Sequence, residues 1–288
     1  MITASIVKEL RDKTNAPMMD CKRVLTETNG DLDASIKLLR ERGIAKAGAK
    51  ADREANEGII TARLDQAAKS GILLEVNCET DFVSKNESFK TFVAGIADAL
   101  ASSSATDHEA ALATPHGESN IADSVKAKVA EVGENLQFRK YVRYDAASGG
   151  VIASYIHLGG KVGVLLEVGT TKPETATSET FRDLVKDLTL HIAASAPKGL
   201  SRDDIDPEIV EAEKAIFRTR LLDSGKPENI LENIIKGQIG KFFAESCFLE
   251  QGFVKDPDVT VSQLLEQKSK ELGDTLTVTR FVRFGLGE

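Results

Sequence analysis

Thr80-Asp81-Phe82-Val83 follows the apolar run Gly71-Ile72-Leu73-Leu74-Glu75-Val76. That run has the length and branched content of a buried strand, and Asn77 to Asp81 reads as the turn leaving it. A carboxylate beside a large ring at a strand exit admits two readings. Asp81 can cap the next helix while Phe82 staples that helix to the core. Alternatively, the loop puts both near solvent as a functional pair. Cys78 beside Glu79 could be imagined as a nucleophile, but the local sequence supplies no base, and free cysteines are commonly just buried. The four histidines (His108, His116, His157, His191) have neither metal-site spacing nor Cys partners. The sequence contains no phosphate-cradling glycine loop and no dinucleotide fingerprint. Without the constellations a catalytic site requires, the expectation is a protein with no catalytic residues, no cofactor and no metal site of its own.

An internal comparison bears on Asp81 and Phe82. A shift of 92 positions lays Gly71-Ile72-Leu73-Leu74-Glu75-Val76 on Gly163-Val164-Leu165-Leu166-Glu167-Val168 without a gap. Gly58-Ile59-Ile60 falls on Gly150-Val151-Ile152, and Phe89, Val93, Ile96 and Leu100 fall on Phe181, Val185, Leu188 and Ile192. Arg139-Lys140-Tyr141-Val142-Arg143-Tyr144 likewise resembles Thr279-Arg280-Phe281-Val282-Arg283-Phe284. The pattern is a duplicated strand–strand–helix–strand unit. In the second copy Pro173 and Glu174 stand where the first has Asp81 and Phe82. A staple that the unit itself needed should recur in both copies. Glu75 and Glu167 do recur, which marks them as scaffold.

The chain has 288 residues and a formal net charge of −8. Residues 1–53 hold 11 Lys/Arg against 8 Asp/Glu, so the remainder is strongly acidic. An acidic body argues against nucleic acid as a direct ligand, because phosphate neutralisation needs a basic surface. Three scattered cysteines point to a reducing, cytoplasmic setting. No stretch is apolar enough to span a membrane, and the amino terminus lacks a signal-peptide pattern.

Taken in order, residues 3–13 carry Ile6, Val7 and Leu10 at helical spacing, and Asn15-Ala16-Pro17 starts a second helix with Met18, Cys21, Val24 and Leu25 on one side. Asn29-Gly30 closes it, Asp31 looks like the next N-cap, and Leu32, Ile36 and Leu39 form a stripe ending at Gly43. Three short helices make a bundle resembling a ubiquitin-associated domain. Met18 and Met19 are each core or contact surface, and both cannot easily point inward because adjacent helical residues diverge by about 100°. Residues 44–57 read as a partly helical linker, and 102–120 as a weakly patterned surface segment. Pro207 starts a helix bearing Val210, Phe217 and Leu221. Ser224-Gly225-Lys226-Pro227 then turns the chain into a returning helix with Leu231, Ile235, Ile239 and Phe242 along one seam. This helical hairpin either projects from the body or folds flat onto it. The fold expected is α+β: an N-terminal three-helix bundle with linker (1–54), a duplicated antiparallel-sheet and helix core (55–146, then 147–206 with 244–288), and an inserted antiparallel helical hairpin (207–243).

Met18-Met19-Asp20-Cys21-Lys22 in a small amino-terminal bundle, Glu75-Val76-Asn77-Cys78-Glu79-Thr80-Asp81-Phe82-Val83, and Ser224-Gly225-Lys226-Pro227 between paired helices together resemble the elongation factor Ts family. The order of parts is similar as well, from Ile2 to about Gly285. The resemblance implies a guanine-nucleotide exchange factor for elongation factor Tu, the GTPase that delivers aminoacyl-tRNA to the ribosome. It implies that Thr80, Asp81, Phe82 and Val83 help displace the GTPase's magnesium ion, and that Arg11, Met18 and Met19 grip its nucleotide domain. His157, in the matching hairpin Ser154-Tyr155-Ile156-His157, is a further contact; read from the sequence alone, it is an exposed contact or a plain turn residue. No nucleotide, nucleic acid or membrane is expected to be bound by this chain itself. Family members with an extra carboxy-terminal helical module extend beyond the Arg280–Phe284 strand, so contacts made by that module are in doubt here. The alternative reading is an interaction adaptor working through the bundle.

Overall fold

The computed structural model describes residues 2–14, 16–48, 50–221 and 228–288. Asn15 and the Ser224–Pro227 turn lie outside the described residues. The chain opens with α1 (Ala4–Thr14), α2 (Met18–Glu27) and α3 (Leu32–Gly48). Val7, Leu10, Cys21, Val24 and Leu25 are buried together as a small core of their own. Asn29 and Gly30 take left-handed φ values of 56° and 88°, and the Asp31 carboxylate accepts the Ala34 N–H at 3.0 Å, so the stop and the cap fall where the sequence put them.

Gly43 differs from expectation. It does not end the helix, which continues to Gly48. A Cβ at Gly43 would lie 3.1 Å from the Ala130 side chain, so the glycine allows a close crossing of two helices.

The first repeat comprises β1 (Glu57–Leu64), β2 (Ser70–Cys78), α4 (Asp81–Ser84), α5 (Glu87–Ala101), α6 (His108–Ala113), β3 (Pro115–His116), β4 (Ser119–Asn120), α7 (Ile121–Val132) and β5 (Leu136–Asp145). The stretch from 102 to 120 is therefore more than a surface segment. Ala105 and Ala111 are buried in the first core, and the Tyr141 hydroxyl donates to the Ala105 carbonyl at 2.8 Å. Small alanines carry little periodic signal, which is why the pattern looked weak.

The second repeat runs β6 (Gly150–His157), β7 (Val162–Gly169) and α8 (Glu179–Ser195), and ends in β8 (Gly252–Phe253), β9 (Asp256–Thr260), α11 (Val261–Leu272) and β10 (Thr277–Gly285). Between these halves stand α9 (Pro207–Leu221) and α10 (Glu228–Ser246). No residue of α9 is buried, whereas Ile235 and Ile239 of α10 are. The pair buries little beyond its own seam and is anchored at its base, where Phe248 and Leu249 donate backbone hydrogen bonds to Gly199 and Leu200.

The two three-stranded sheets are antiparallel and identically wired, β1-β2-β5 and β6-β7-β10, with β2 and β7 central; β3-β4 and β8-β9 are small two-stranded ribbons. Each central strand is covered on one face by its own helices and on the other by the opposite sheet, so it is buried along all but its ends. That is why both read as continuous apolar runs.

The sheets meet around Ile60, Leu73, Tyr144, Ile152, Leu165 and Phe284. Their contacts are reciprocal. Ile60 donates to the Gly160 carbonyl (2.8 Å) and Ile152 to that of Ala68 (2.7 Å). Glu75 accepts the N–H of Gly287, two residues past the end of β10, at 2.9 Å, with Lys140 at 3.2 Å; Glu167 accepts the N–H of Ala147, two residues past the end of β5 and so continuous with the first repeat, at 2.9 Å, with Arg280 at 2.7 Å. Residue i of one copy meets j of the other and the converse holds, as at an isologous interface.

One buried group in the second repeat carries a pH signature. His191 accepts the Val254 N–H on Nδ1 (3.1 Å) and so donates from Nε2 to Gln251 (2.9 Å), which holds the ring neutral. Burial pushes its pKa down, outweighing the Gln251 bond. Between the folded value and the unfolded value near 6.5 the unfolded chain binds more protons, so this contribution is complete above about pH 6.5 and is lost as pH falls through the folded pKa. A His191→Gln variant should show a shallower fall in stability from pH 7 to 5 in urea titrations; an unchanged slope would mean that other groups set it.

Candidate functional site

The strand exit after β2 is built by hydrogen bonds to groups distant in sequence. The Glu134 carboxylate accepts the Thr80 N–H at 3.0 Å and the Thr80 hydroxyl at 2.6 Å, while the Cys78 thiol donates to the Thr80 carbonyl at 3.2 Å. Thr80 is extended (φ −126°, ψ 155°), and α4 begins directly after it. Its hydroxyl is committed to Glu134 and does not cap the helix. Val83 packs on the first core and Ser84 is buried, so the single turn is fixed from below. Phe82 points the other way and is 84% exposed.

The capping reading of this tetrapeptide is thereby corrected. Asn86 caps α5, accepting the Ser88 N–H at 2.8 Å, and Val83 supplies the core contact. Asp81 is instead the first residue of α4 and pairs with Lys85 at 2.6 Å. That hydrogen bond and the charge of Lys85 hold its carboxyl below the usual range, with Lys161 adding to the effect. Asp81 is therefore ionised at neutral pH.

The second repeat has the same device with different contents. Asp274 accepts the N–H groups of Thr171 and Lys172, each at 3.1 Å, and the Thr171 hydroxyl. Burial raises the Asp274 pKa, but these bonds more than offset it and leave the carboxyl well below its ordinary value. Pro173 and Glu174 are exposed there. The scaffold is duplicated; the ring and its charged neighbour are not.

Lys161 pairs with Glu57, which also acts on Lys85, so the β6–β7 turn lies at the same end of the core as α4. His157 is exposed at the end of β6, where the strand enters that turn, with the Tyr155 hydroxyl 2.9 Å from Nδ1 and the two rings stacked at 5.7 Å. Leu158 beside it is 71% exposed at φ +49°. The structure thus brings Thr80, Asp81, Phe82 and Val83 to one end with His157. Arg11, Met18 and Met19 are exposed on the bundle instead. Neither methionine is core; α2 buries Cys21, Val24 and Leu25. Glu134, Lys85 and Lys161 escaped the sequence reading. Only Glu134 left a signal there, because an acid recurs as Asp274 just before the last strand of the second repeat.

Cys78 is fully buried, and burial, assisted by the charges of Glu134 and Glu57, pushes its thiol up to about 12. It is protonated at neutral pH and unsuited to attack. Among the described residues no group of three or more His, Cys, Asp or Glu could hold a metal ion, and no helix is long and apolar enough to cross a membrane.

The strand exit therefore presents an exposed ring and an ionised carboxylate on a rigid support. Similarity to known proteins gives the family. The family model for "Elongation factor TS" matches residues 79–288. The whole chain is 46% identical to "Elongation factor Ts" of Syntrophotalea carbinolica, covering 93% of that protein, and 44% identical to that of Clostridium perfringens (strain SM101), covering 94%. "Elongation factor Ts" of Trichlorobacter lovleyi is 41% identical over the whole chain and 93% of its own length. The chain belongs to the elongation factor Ts family.

Proposed function

We propose that this chain is a guanine-nucleotide exchange factor for elongation factor Tu, binding the GDP-bound GTPase and promoting GDP release so that GTP can enter. The observation that carries the reading is Phe82, 84% exposed on a fixed turn in only one of two matched strand exits. Burying such a ring in a partner supplies about 1.5–3 kcal/mol, enough to favour a GTPase conformation that nucleotide disfavours. Asp81 brings a negative charge to the same place. Magnesium neutralises the nucleotide phosphates in a GTPase, so disturbing its surroundings weakens nucleotide binding. Arg11, Met18, Met19 and His157 are the further contacts in this reading. Coupling is reciprocal: a factor that loosens nucleotide is loosened by nucleotide, and incoming GTP helps eject it. No bond is made or broken by the factor.

The test is release of labelled GDP from elongation factor Tu, with and without the chain, at several magnesium concentrations. The expected result is acceleration by about ten- to a hundredfold, the rate equivalent of the ring's burial, diminishing as magnesium rises. A folded chain that leaves the rate untouched would sink the assignment and favour the adaptor.

A further inference from the structure

We propose that the turn Gly133-Glu134-Asn135 is a clasp that fixes the amino-terminal bundle relative to Phe82, so that the two contact elements meet the GTPase as one body. The clasp is defined by its own bonds; its role in exchange rests on the function proposed above.

The turn holds both elements at once. On one side, Glu134 takes both donors of Thr80, and the Asn135 N–H donates to the Glu79 carboxylate at 2.6 Å. On the other, the Asn135 side-chain amide donates to the carbonyls of Ala51 (3.2 Å) and Arg53 (2.7 Å), in the segment leading down from α3. The Lys50 ammonium reaches the Gly133 carbonyl, and Arg53 approaches Glu79 at 3.5 Å. Asn135 is only 3% exposed, so its amide has little water to fall back on.

Other bundle–core contact is partial. α3 crosses α7 at Gly43 and Ala130, but a cleft of about 490 Å³ opens beside that crossing, between Val24, Ile36 and Leu39 on one wall and Phe92 and Ala127 on the other. Among the described residues the α3–α7 crossing is the main helix-on-helix contact between bundle and core, and the clasp adds a second, hydrogen-bonded point of attachment beside it.

The second repeat serves as an internal control. Its corresponding turn is Gly273-Asp274-Thr275, and Gly133 and Gly273 both take left-handed φ, 86° and 60°. The acid that holds the strand exit is kept there. The asparagine is not, and that repeat has no bundle to hold. Asn135, like Phe82, occurs only in the repeat that needs it.

The test uses the full chain with spin labels at Lys22→Cys on α2 and Lys90→Cys on α5. Both positions are exposed, while Cys21, Cys78 and Cys247 are buried and resist labelling. Asn135→Asp keeps the shape but turns an acceptor towards two carbonyls. One sharp inter-label distance should be lost in this variant, becoming a broad distribution. Its GDP release rate at saturating factor should fall about tenfold while the half-saturating concentration moves less than about threefold, because one contact no longer raises the effective concentration of the other. If Asn135→Asp does not fold, Lys50→Ala combined with Arg53→Ala cuts the exposed half of the clasp and should broaden the distance in the same direction. A distance that stays sharp in the folded variants overturns the clasp. Broadening with unchanged exchange overturns its role. If the native chain itself fails to release GDP, the proposed function falls, and the distance measurement still decides the clasp.

Discussion

Replacing Phe82 by Ala should remove most of the chain's acceleration of GDP release from elongation factor Tu, about tenfold or more where the native chain gives that much, as expected for an aromatic residue at the centre of a contact. The chain's own melting temperature should barely move, because the ring is 84% exposed and contributes almost nothing to the fold. This separation of activity from stability distinguishes a presented side chain from a staple. Asp81→Ala should have a smaller effect: Lys85 loses its ion-pair partner, while Lys161 keeps Glu57. Glu174→Ala, at the matching exit of the other repeat, supplies the control and should leave the rate within about twofold, as for a surface position outside a contact. Stopped-flow release of labelled GDP with melting curves on each variant checks all three. Equal rates for Phe82→Ala and the native chain would move the source of activity to Met18, Met19 and the bundle.

The repeat was legible because it is carried by long side chains at fixed spacing. Gly71–Val76 and Gly163–Val168 occupy central strands buried on both faces, so no polar residue interrupts them except Glu75 and Glu167, and those two form the reciprocal bonds between repeats. What the sequence hid depends on choices among similar residues. Asp81, Asn86 and Thr80 are all competent caps, and the contest was decided by Glu134, more than fifty residues away, taking the Thr80 hydroxyl. Gly43 can end a helix or let one pass another, and only the presence of Ala130 opposite decides. Asn135 gives no local hint, since its partners are backbone carbonyls in a segment without pattern. The exposure of Phe82 lay between these cases: its absence from the second copy was readable, but its direction required the packing of Val83.

The reciprocity of the two sheets makes a quantitative demand on stability. Leu73 and Leu165 are both fully buried, and each lies over a glycine of the opposite repeat: a Cβ on Gly163 would come within 2.8 Å of Leu73, and one on Gly71 within 3.1 Å of Leu165. Neither glycine can grow to fill a space left by the leucine, because Ile60 stands against the one Cβ position and Ile152 against the other. Each Leu→Ala change should therefore leave a cavity that cannot collapse and cost about 2–5 kcal/mol. The two costs should agree to within about 1 kcal/mol, because equivalent contacts surround equivalent residues. The double variant should deviate from additivity by about 0.5–3 kcal/mol, since both leucines border one shared core. Urea titration gives each value, with a constant slope required for the comparison. A large loss at one leucine beside a negligible one at the other would show that the two-fold relation is geometric but not energetic. The same loosening should reach function. The Gly160 carbonyl that receives the Ile60 N–H belongs to the turn that follows His157, so weakening this interface frees that turn from the sheet edge beside α4. Exchange should then fall in the leucine variants even at temperatures where both remain folded.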